Sequence, residues 1–372
     1  MLPDYLIKAM RDDDISFKRD NSKFFSLPEY NPETHYLDLT HDNYYRALIV
    51  LRHYIKASSD YYFSVIQKAK NVDLFMITPS ISSPMGPGSD SEVIPIKFGK
   101  FNSFLVDSSQ FGFEPLLMNG FDKVYCYLPS LRGENPDKRH LNQFFHCEAE
   151  IKGNIELLIP IIEGYVKILA ETLLNMPAIL EKISKNNNIT KEALGKITNA
   201  DSFPEMKFDE VVDLLIKNGK QDCINITSSG RDITSEGEIA LLEILKLQIP
   251  IWIKNYDRGR VAFYQKPYPD NKNKVINADL LFPPLIKDSF GGEIVGCGQR
   301  QDNPEELLES MKMQNISSQP YDWYIDLRKQ SGYVPTSGFG LGIERFITWS
   351  LCQNDIKYAI PYPRLKDIFT CP

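Results

Sequence analysis

The segment LRGENPDKRHLNQFFHCEAEI, at positions 131–151, concentrates side chains that suit a nucleotide. They are Arg132, Glu134, Arg139, His140 and Phe144. The first two lie two residues apart on a predicted strand and face the same side of it, the next two lie in a polar turn, and the last lies on the returning strand. Arginine binds phosphate oxygens through two parallel hydrogen bonds, and a phenyl ring stacks on adenine. The hairpin therefore favours ATP as a ligand, with a salt-bridged surface hairpin as the alternative.

A glycine-rich segment, SGFGLGIERFITWSL at 337–351, lies near the end of the chain. Gly338, Gly340 and Gly342 alternate, so one side of a strand there has no side chains and a ligand can approach it closely. Arg345 falls in the first turn of a predicted apolar helix, and helix N-termini favour bound anions. The pattern predicts a phosphate-binding corner between strand and helix, with a tightly packed corner as the alternative.

In this order, the two segments resemble motifs 2 and 3 of the class II aminoacyl-tRNA synthetases. The Arg-His-Leu-x-x-Phe pattern at 139–144 is similar to the aspartyl, asparaginyl and lysyl subgroup, and ITPSIS at 77–82 resembles motif 1, with Pro79 as its proline. Other resembling segments are 108–125, 291–300, 321–335 and 356–364, of which GGEIVGCGQR and YDWYIDLRKQSGYVP are particularly similar to asparaginyl enzymes. The resemblance extends from Tyr44 to Arg364.

The resemblance implies a role for each matching residue of these segments. Arg132 would hold the α-phosphate and the activated carboxylate, and Arg345 would clamp the γ-phosphate, so these two are the implied catalytic residues. Glu134 would meet the adenine amino group or the substrate amine, and Phe144 would stack on adenine. The other implied ATP-binding residues are Arg139 and His140, at the β- and γ-phosphates, with Gly340 and Gly342.

Four further positions match residues that bind a metal ion and the amino acid in the family. Asp279 and Glu293 match the acids that hold Mg²⁺ between the phosphates, and this hard cation prefers oxygen ligands. Gln110 and Arg300 match positions that contact the amino acid, where an arginine suits a side-chain carboxylate or amide oxygen. No nucleophilic side chain is needed, because the substrate carboxylate attacks the α-phosphorus and the protein supplies positioning and charge neutralisation.

The chain departs from the family pattern before and after motif 1. Residues 1–43 are too few for the anticodon-binding barrel of about 100 residues, so the barrel is predicted to be absent. The loop SPMGPGSDSE at 83–92 lacks the Glu-Gly pair whose acid binds the substrate amine. Asp90 could substitute for that acid, or the amine is bound in another way, and Glu92 lies too far along the chain.

Other departures fall where the amino acid and the metal should lie. Cys297 interrupts the usual Gly-Gly-Ser-Gln-Arg sequence, and Thr336 replaces a histidine. Phe113 stands where aspartyl enzymes carry a lysine for the side-chain carboxylate, which argues against an aspartyl enzyme. The spacing from Asp279 to Glu293 is longer than the family's, so the inserted PPLIKDS could displace Asp279 from the metal.

The elements expected to position these residues mix helices and strands without regular β-α-β alternation. This predicts an α+β fold, a class II synthetase-like antiparallel sheet flanked by helices. A long amphipathic helix is predicted over 44–70, and the other predicted elements are strands at 74–78, 93–98, 103–106, 124–128, 144–151, 249–254, 261–265, 275–281 and 293–297 and helices at 155–183, 208–217, 236–247, 304–313, 319–329 and 343–351. Residues 1–43 predict an irregular N-terminal arm and 44–372 the catalytic domain, with a polar loop, insertion or linker near 184–203.

Composition narrows the class of protein. The 372 residues include 42 basic and 49 acidic side chains, for a net charge of −7, which disfavours tRNA without excluding it and disfavours DNA. The sequence has no long apolar run and no signal-peptide pattern, so a cytoplasmic protein without membrane contact is predicted. The six separated cysteines indicate reduced thiols.

These observations favour an ATP-dependent, AMP-forming ligase. It would activate Asp, Asn or a relative as an adenylate and transfer it to ammonia or a small amine, as archaeal asparagine synthetases similar to asparaginyl-tRNA synthetases do. The alternatives are a tRNA-charging enzyme without an anticodon domain and a non-catalytic paralogue that binds a nucleotide or an amino acid. Because motif 1 builds a dimer interface in the family, a homodimer through residues 44–79 is also predicted.

Overall fold

The computed structural model describes residues 1–18, 27–82 and 91–371. Its helices are α1 (Asp4–Lys18), α2 (His35–His41), α3 (Asn43–Tyr61), α4 (Glu114–Met118), α5 (Ile155–Leu174), α6 (Pro177–Ile183), α7 (Asn187–Asn199), α8 (Phe208–Lys217), α9 (Ser235–Leu245), α10 (Pro304–Met313), α11 (Asp322–Arg328) and α12 (Ile343–Ser350). Its strands are β1 (Lys70–Asn71), β2 (Ile77–Thr78), β3 (Pro95–Phe98), β4 (Phe101–Leu105), β5 (Lys123–Leu131), β6 (Gln143–Lys152), β7 (Glu205–Lys207), β8 (Ile224–Thr227), β9 (Gly230–Ile233), β10 (Ile251–Lys254), β11 (Asn277–Phe282), β12 (Gly292–Gln299) and β13 (Thr336–Gly342).

An eight-stranded sheet forms the centre of the fold, in the order β1-β5-β6-β13-β12-β11-β10-β7. The six inner strands pair antiparallel, and the two short edge strands pair parallel with their neighbours. Smaller sheets, β2-β4-β3 and β8-β9, lie outside it. The predicted α+β architecture with an antiparallel sheet is confirmed.

One face of the sheet is covered by the long helices α3 and α5. Leu51 of α3 and Leu169 of α5 are fully buried in the main core together with Cys147 of β6 and Leu341 of β13. Because alternate residues of a strand point to opposite faces, the residues on either side of these in β6 and β13 face away from the helices. That second face carries the cleft described below.

Helix α1 shows that the irregular structure predicted for residues 1–43 is wrong for the first part of the chain. Leu6, Met10 and Phe17 are buried in the main core, on one face of this helix. Asp14 is also buried, and it accepts hydrogen bonds from the backbone N–H groups of Ala178 and Ile179 at 2.9 and 2.8 Å. A carboxylate at the start of α6 satisfies donors that a helix leaves unpaired there.

Helix α7 occupies most of the segment 184–203, for which a polar loop or linker was predicted. Thr190, Leu194 and Ile197 lie on its buried face. Asn186 caps the helix by accepting a hydrogen bond from the Ile189 N–H. The asparagines therefore mark the beginning and the exposed side of a helix, and the prediction of a loop there is wrong.

Smaller differences concern element boundaries. The helix predicted over 155–183 is two helices, α5 and α6, with Pro177 at the first turn of the second. The strand predicted at 261–265 contains only an isolated bridge, from Gln265 to Arg300. The boundary between arm and catalytic domain at 43/44 stays a prediction. No helix of the described residues is long and apolar enough to cross a membrane.

Gly195 offers a test of α7. It lies inside the helix, and a Cβ there would meet nothing within 4 Å. Gly195→Ala should raise the free energy of unfolding by about 0.5–1 kcal/mol in urea titrations, since alanine is the better helix former. Gly219→Ala is the matched control, because that site is equally open but has φ +69° and should lose stability. A loss at Gly195 as well would contradict the helix.

Candidate active site

Strand β6 lines the cleft with every second side chain. Phe144, His146 and Glu148 line it in this order, and Glu150 lies beneath its far end. Two adjoining cavities follow the strand. Phe144 and His146 belong to the first cavity, and His146 and Glu148 belong to the second. One strand therefore connects the two halves of the site.

The first cavity brings together the residues that the resemblance assigned to ATP. All of them line it, namely Arg132, Glu134, Arg139, His140, Phe144, Gly340, Gly342 and Arg345. One detail of their placement is corrected. Strand β5 ends at Leu131, so Arg132 and Glu134 lie in the segment after the strand and not on it. Their proximity does not depend on strand alternation, since Asn142 Nδ2 donates to the carbonyl oxygens of both residues at 2.8 and 2.7 Å.

Helix α12 directs Arg345 into the first cavity. The neighbouring Glu344 is buried, accepts a hydrogen bond from the Phe145 N–H at 2.8 Å and pairs with Arg52 of α3 at 2.7 Å. These contacts tie the beginning of the helix to β6. Arg345 Nη1 donates to Glu293 Oε2 at 3.0 Å, and its Nη2 lies 3.3 Å from His140 Nε2. The guanidinium therefore bridges two residues of the cleft.

Arg139 is held against the far wall of the same cavity by a contact that the sequence did not reveal. Its Nη1 donates to the Gly291 carbonyl at 2.6 Å, and its Nη2 lies 3.4 Å from Glu238 Oε2. Glu238 comes from α9, and the same oxygen accepts from the Glu293 N–H at 3.1 Å. Burial raises the pKa of Glu238 to about 7 although Arg139 opposes the shift. No sequence motif marks Glu238, because its partners lie far away along the chain.

The second cavity brings together the four residues assigned to the amino acid and the metal. They are Gln110, Arg300, Asp279 and Glu293. Glu148, which the sequence analysis missed, also lines this cavity and is buried. It accepts hydrogen bonds from the Ser108 hydroxyl and from the Ser109 N–H. Burial raises the pKa of Glu148, and these donors oppose the shift.

A buried ion pair forms the floor of the second cavity. Arg300 donates through Nε to Glu150 Oε1 at 2.9 Å and through Nη2 to Glu150 Oε2 at 2.7 Å. Thr336 donates its hydroxyl to Glu150 Oε1 at 2.9 Å. A Cβ on Gly338 would lie 1.9 Å from Glu150 Oε2, so the pair exists only because this position has no side chain. Thr336, which departs from the family's histidine, is thus part of the floor.

Asp279 and Glu293 flank one small space in the second cavity. A Cβ on Gly296 would lie 3.2 Å from Glu293 Oε1 and 3.4 Å from Asp279 Oδ1. The insertion after β11 lies outside the β11–β12 ladder, in which Asp279 pairs with Gly296. It therefore does not displace Asp279 from Glu293, contrary to the expectation. Burial and then the charge of Glu293 raise the pKa of Asp279, whereas the burial of Glu293 is outweighed by Arg345, Arg139 and Arg132 together, which lower its pKa.

The remaining departures from the family pattern differ in where they lie relative to the two cavities. Asp90 lies outside the described residues. Glu92 donates its backbone N–H to Glu134 Oε2 at 3.2 Å, so it lies beside the first cavity. Phe113 is fully buried against Leu117 and Val124 and lines neither cavity. Cys297 does line the second cavity, where burial raises the pKa of its thiol.

Comparison with known proteins identifies the family. The family described as tRNA synthetases class II (D, K and N) matches residues 28–366. The chain belongs to this family. Similar curated proteins include the asparagine–tRNA ligases of Pyrococcus furiosus, 33% identical over 270 residues, and of Thermococcus gammatolerans, 30% identical over 277 residues. These matches cover 72% and 74% of this chain but only 57% and 60% of the relatives, so the chain spans less than two thirds of their length.

Solved structures show the same fold. The asparaginyl-tRNA synthetase from Pyrococcus horikoshii, complexed with asparaginyl-adenylate, superposes with a TM-score of 0.80 at 24% identity, over 93% of this chain and 76% of that one. The enzyme from Entamoeba histolytica, also with asparaginyl-adenylate, gives 0.74 at 22% identity, over 96% and 75%. The class II synthetase fold of this chain is thereby established.

The floor of the second cavity leads to a stability prediction. Glu150→Gln should cost about 3–5 kcal/mol of unfolding free energy, since it leaves the buried Arg300 without a counter-charge. Asp326→Asn is the control, because it breaks the exposed pair with Lys329 and should cost less than about 1 kcal/mol. Urea unfolding measures both. Equal, small losses would show that the Glu150–Arg300 pair is not held as described.

Proposed function

We propose that this chain activates asparagine with ATP as asparaginyl-adenylate, releases pyrophosphate, and transfers the asparaginyl group to the 3′ end of a tRNA. The family and the asparagine–tRNA ligases among its relatives support this tRNA-charging alternative. They give no support to ammonia transfer, which was predicted from the expected absence of the barrel and from the net charge. Net charge describes the whole chain and not the surface that a tRNA would contact.

The observation that carries the proposal is the junction of the two cavities. Among the residues that the structure describes, four line both of them: Arg132, His146, Glu293 and Gly340. Adenylation requires the α-phosphate and the substrate carboxylate to meet in line. With ATP in the first cavity and the amino acid in the second, they meet beside Arg132. Its guanidinium would neutralise the charge that builds up on the phosphorus oxygens as the carboxylate attacks.

The first cavity suits the rest of ATP. Phe144 and Glu134 both line this cavity. The ring of Phe144 would stack on adenine, and Glu134 would accept a hydrogen bond from the adenine amino group. Arg345 and His140, already in contact with each other, would bind the terminal phosphates. Arg139 would contribute from the far wall. The bare strand at Gly340 and Gly342 leaves room for the nucleotide.

The paired acids of the second cavity suit Mg²⁺. Asp279 and Glu293 present oxygens around one space, and no group of three or more metal-binding side chains occurs in the described chain. Two carboxylates with phosphate and water oxygens match the way Mg²⁺ is usually held. A bound Mg²⁺ would neutralise phosphate charge, and Glu293 would link it to Arg345.

The charges of the second cavity favour asparagine over aspartate. The charge of Arg300 is already balanced by Glu150. Of the acids that line this cavity, Glu293 is paired with Arg345 and is assigned with Asp279 to Mg²⁺, which leaves Glu148. A side-chain carboxylate would therefore find no unpaired cation at Arg300, whereas a neutral amide could bind the free edge of its guanidinium. Glu148 would bind the α-ammonium group, and Gln110 lines the same cavity.

The test is ATP–pyrophosphate exchange without tRNA, with asparagine, aspartate and their relatives. Exchange should be at least about 100-fold faster with asparagine than with aspartate. Addition of asparagine tRNA should then yield acylated tRNA, and ammonia should not substitute for it. Preference for aspartate, with amide formed from ammonia, would replace this function by asparagine synthesis. ATP binding without exchange would indicate a binding protein.

Arg345→Ala provides the site variant. It should lower exchange by on the order of 100-fold, because it removes a charge that stabilises the transition state. Arg11→Ala, on the exposed side of α1, is the control and should leave exchange unchanged. Equal activity of the two variants would remove Arg345 from the site.

We also propose a homodimer through residues 44–79. The face around Leu48 and Leu51 does not support it, since both residues are fully buried within the subunit. The dimer is supported instead by the exposed apolar side chains of the same segment, which are Val65, Ile66, Phe75, Met76 and Ile77. Light scattering should give a molar mass twice that of the chain. Ile77→Glu should reduce this mass to that of a single chain, whereas Leu157→Glu on α5 should leave it unchanged. A monomeric wild type would refute the dimer.

The cytoplasmic location stays a prediction.

A further inference from the structure

His146 is the one shared residue of the two cavities that the proposed function leaves without a role. Its side chain is 16% exposed and faces the junction. Of the other shared residues, Arg132 and Glu293 have roles, and Gly340 has no side chain. On β6 the imidazole lies between Phe144 and Glu148, at the junction of the two cavities. A group that attacks a carboxyl activated at this junction would therefore be close to the imidazole.

The surroundings of the ring determine which nitrogen carries the proton. Nδ1 lies 3.0 Å from Ser130 Oγ and 3.7 Å from Glu148 Oε1. The carboxylate favours a proton on Nδ1, which can donate to the serine oxygen. Within the described chain, no hydrogen bond is made by Nε2. A proton on Nδ1 leaves the lone pair of Nε2 directed to the cleft.

Burial and two nearby arginines keep the imidazole of His146 neutral. Burial, followed by the positive charges of Arg132 and Arg345, lowers the pKa of His146 well below its ordinary value of 6.5. In the sheet, Gly342 of β13 and Leu128 of β5 lie directly opposite His146, and neither carries a charge. The carboxylate of Glu148 lies 3.7 Å from Nδ1. A neutral imidazole with a free lone pair is a proton acceptor near pH 7.

We propose that His146 is the general base of the transfer step. This inference rests on the proposed function. A hydroxyl oxygen of the terminal tRNA ribose attacks the carbonyl carbon of asparaginyl-adenylate and forms the new ester bond. The bond between that carbon and the phosphate oxygen breaks, and AMP leaves with the electron pair. The proton of the attacking hydroxyl moves to Nε2 of His146, which later returns it to solvent.

The two steps of the reaction make different demands on such a base. In adenylation the attacking carboxylate is already ionised and loses no proton, so no base is needed. In transfer the hydroxyl must lose its proton as the ester forms. Loss of a base at position 146 should therefore slow transfer and spare adenylation. A residue that merely shaped the junction would affect both steps.

The experiment compares the wild type with His146→Gln, and with His41→Gln as a control at an exposed site of α2. Each enzyme is loaded with asparaginyl-adenylate, mixed with a transcript of the asparagine tRNA, and quenched to obtain the single-turnover rate of transfer. His146→Gln should slow transfer by roughly 10²–10⁴-fold while exchange stays within about threefold of the wild type. Retained exchange also shows that the variant is folded. His41→Gln should change neither rate.

The pH dependence gives a second, independent measurement. Wild-type transfer should fall as pH decreases through the lowered pKa of His146, below 6.5, because protonation removes the lone pair. Transfer by His146→Gln should lack this decrease. His146→Asn, which keeps a donor near Ser130, replaces the glutamine variant if that one does not fold.

The outcomes separate this inference from the proposed function. Normal transfer by His146→Gln, or an equal loss of exchange and transfer, overturns the general base and leaves asparagine activation intact. Absence of wild-type exchange with asparagine overturns the proposed function, and the base with it. Wild-type exchange with transfer only to ammonia overturns the tRNA acceptor and therefore the proton donor named here.

Discussion

The buried pair between Glu150 and Arg300 is the interaction on which the second cavity, proposed to hold the amino acid, depends. Glu150 lies on β6, Arg300 directly after β12, and Gly338 and Thr336 on the strand between them. An ion pair inside a protein is stable only when its desolvation is offset by close contact and further hydrogen bonds. Thr336 supplies such a hydrogen bond, and Gly338 supplies the space. Three strands must therefore keep one register, and that register also places Glu148 and His146 in the cleft.

The two cavities of the cleft differ in charge. The first is lined by three arginines, Arg132, Arg139 and Arg345, and by as many glutamates, whereas the second contains more acids than unpaired cations. Glu293 lies at the boundary and is bound by Arg345. In the proposed reaction, polyphosphate and ammonium groups would be attracted to different ends of the cleft. The α-phosphate and the carboxylate would meet in the middle, where Arg132 would neutralise both.

Most of the residues that line the first cavity could be predicted from the sequence because they lie in two short segments with recognisable spacing. The sequence also contained a signal that motif matching did not use. Starting from Phe144, the alternation of a strand predicts His146, Glu148 and Glu150 on the same face, and the structure places all three at the cleft. Glu238 is different, since only the tertiary fold brings α9 next to Arg139. At α1 and α7 the polar composition predicted irregular structure, although each segment is a helix with one buried apolar face.

The departures from the family pattern acquire a common meaning at the amino-acid end. Thr336 stands where the family has a histidine, and it holds Glu150 without adding a group that titrates near neutrality. Cys297 is buried and its pKa is raised, so its thiol stays uncharged as well. Thr336 thus takes the place of a titratable group, and Cys297 adds no group that ionises near neutrality. What remains there is a balanced ion pair, and a balanced pair discriminates by hydrogen-bond geometry, which suits a neutral amide better than an ion.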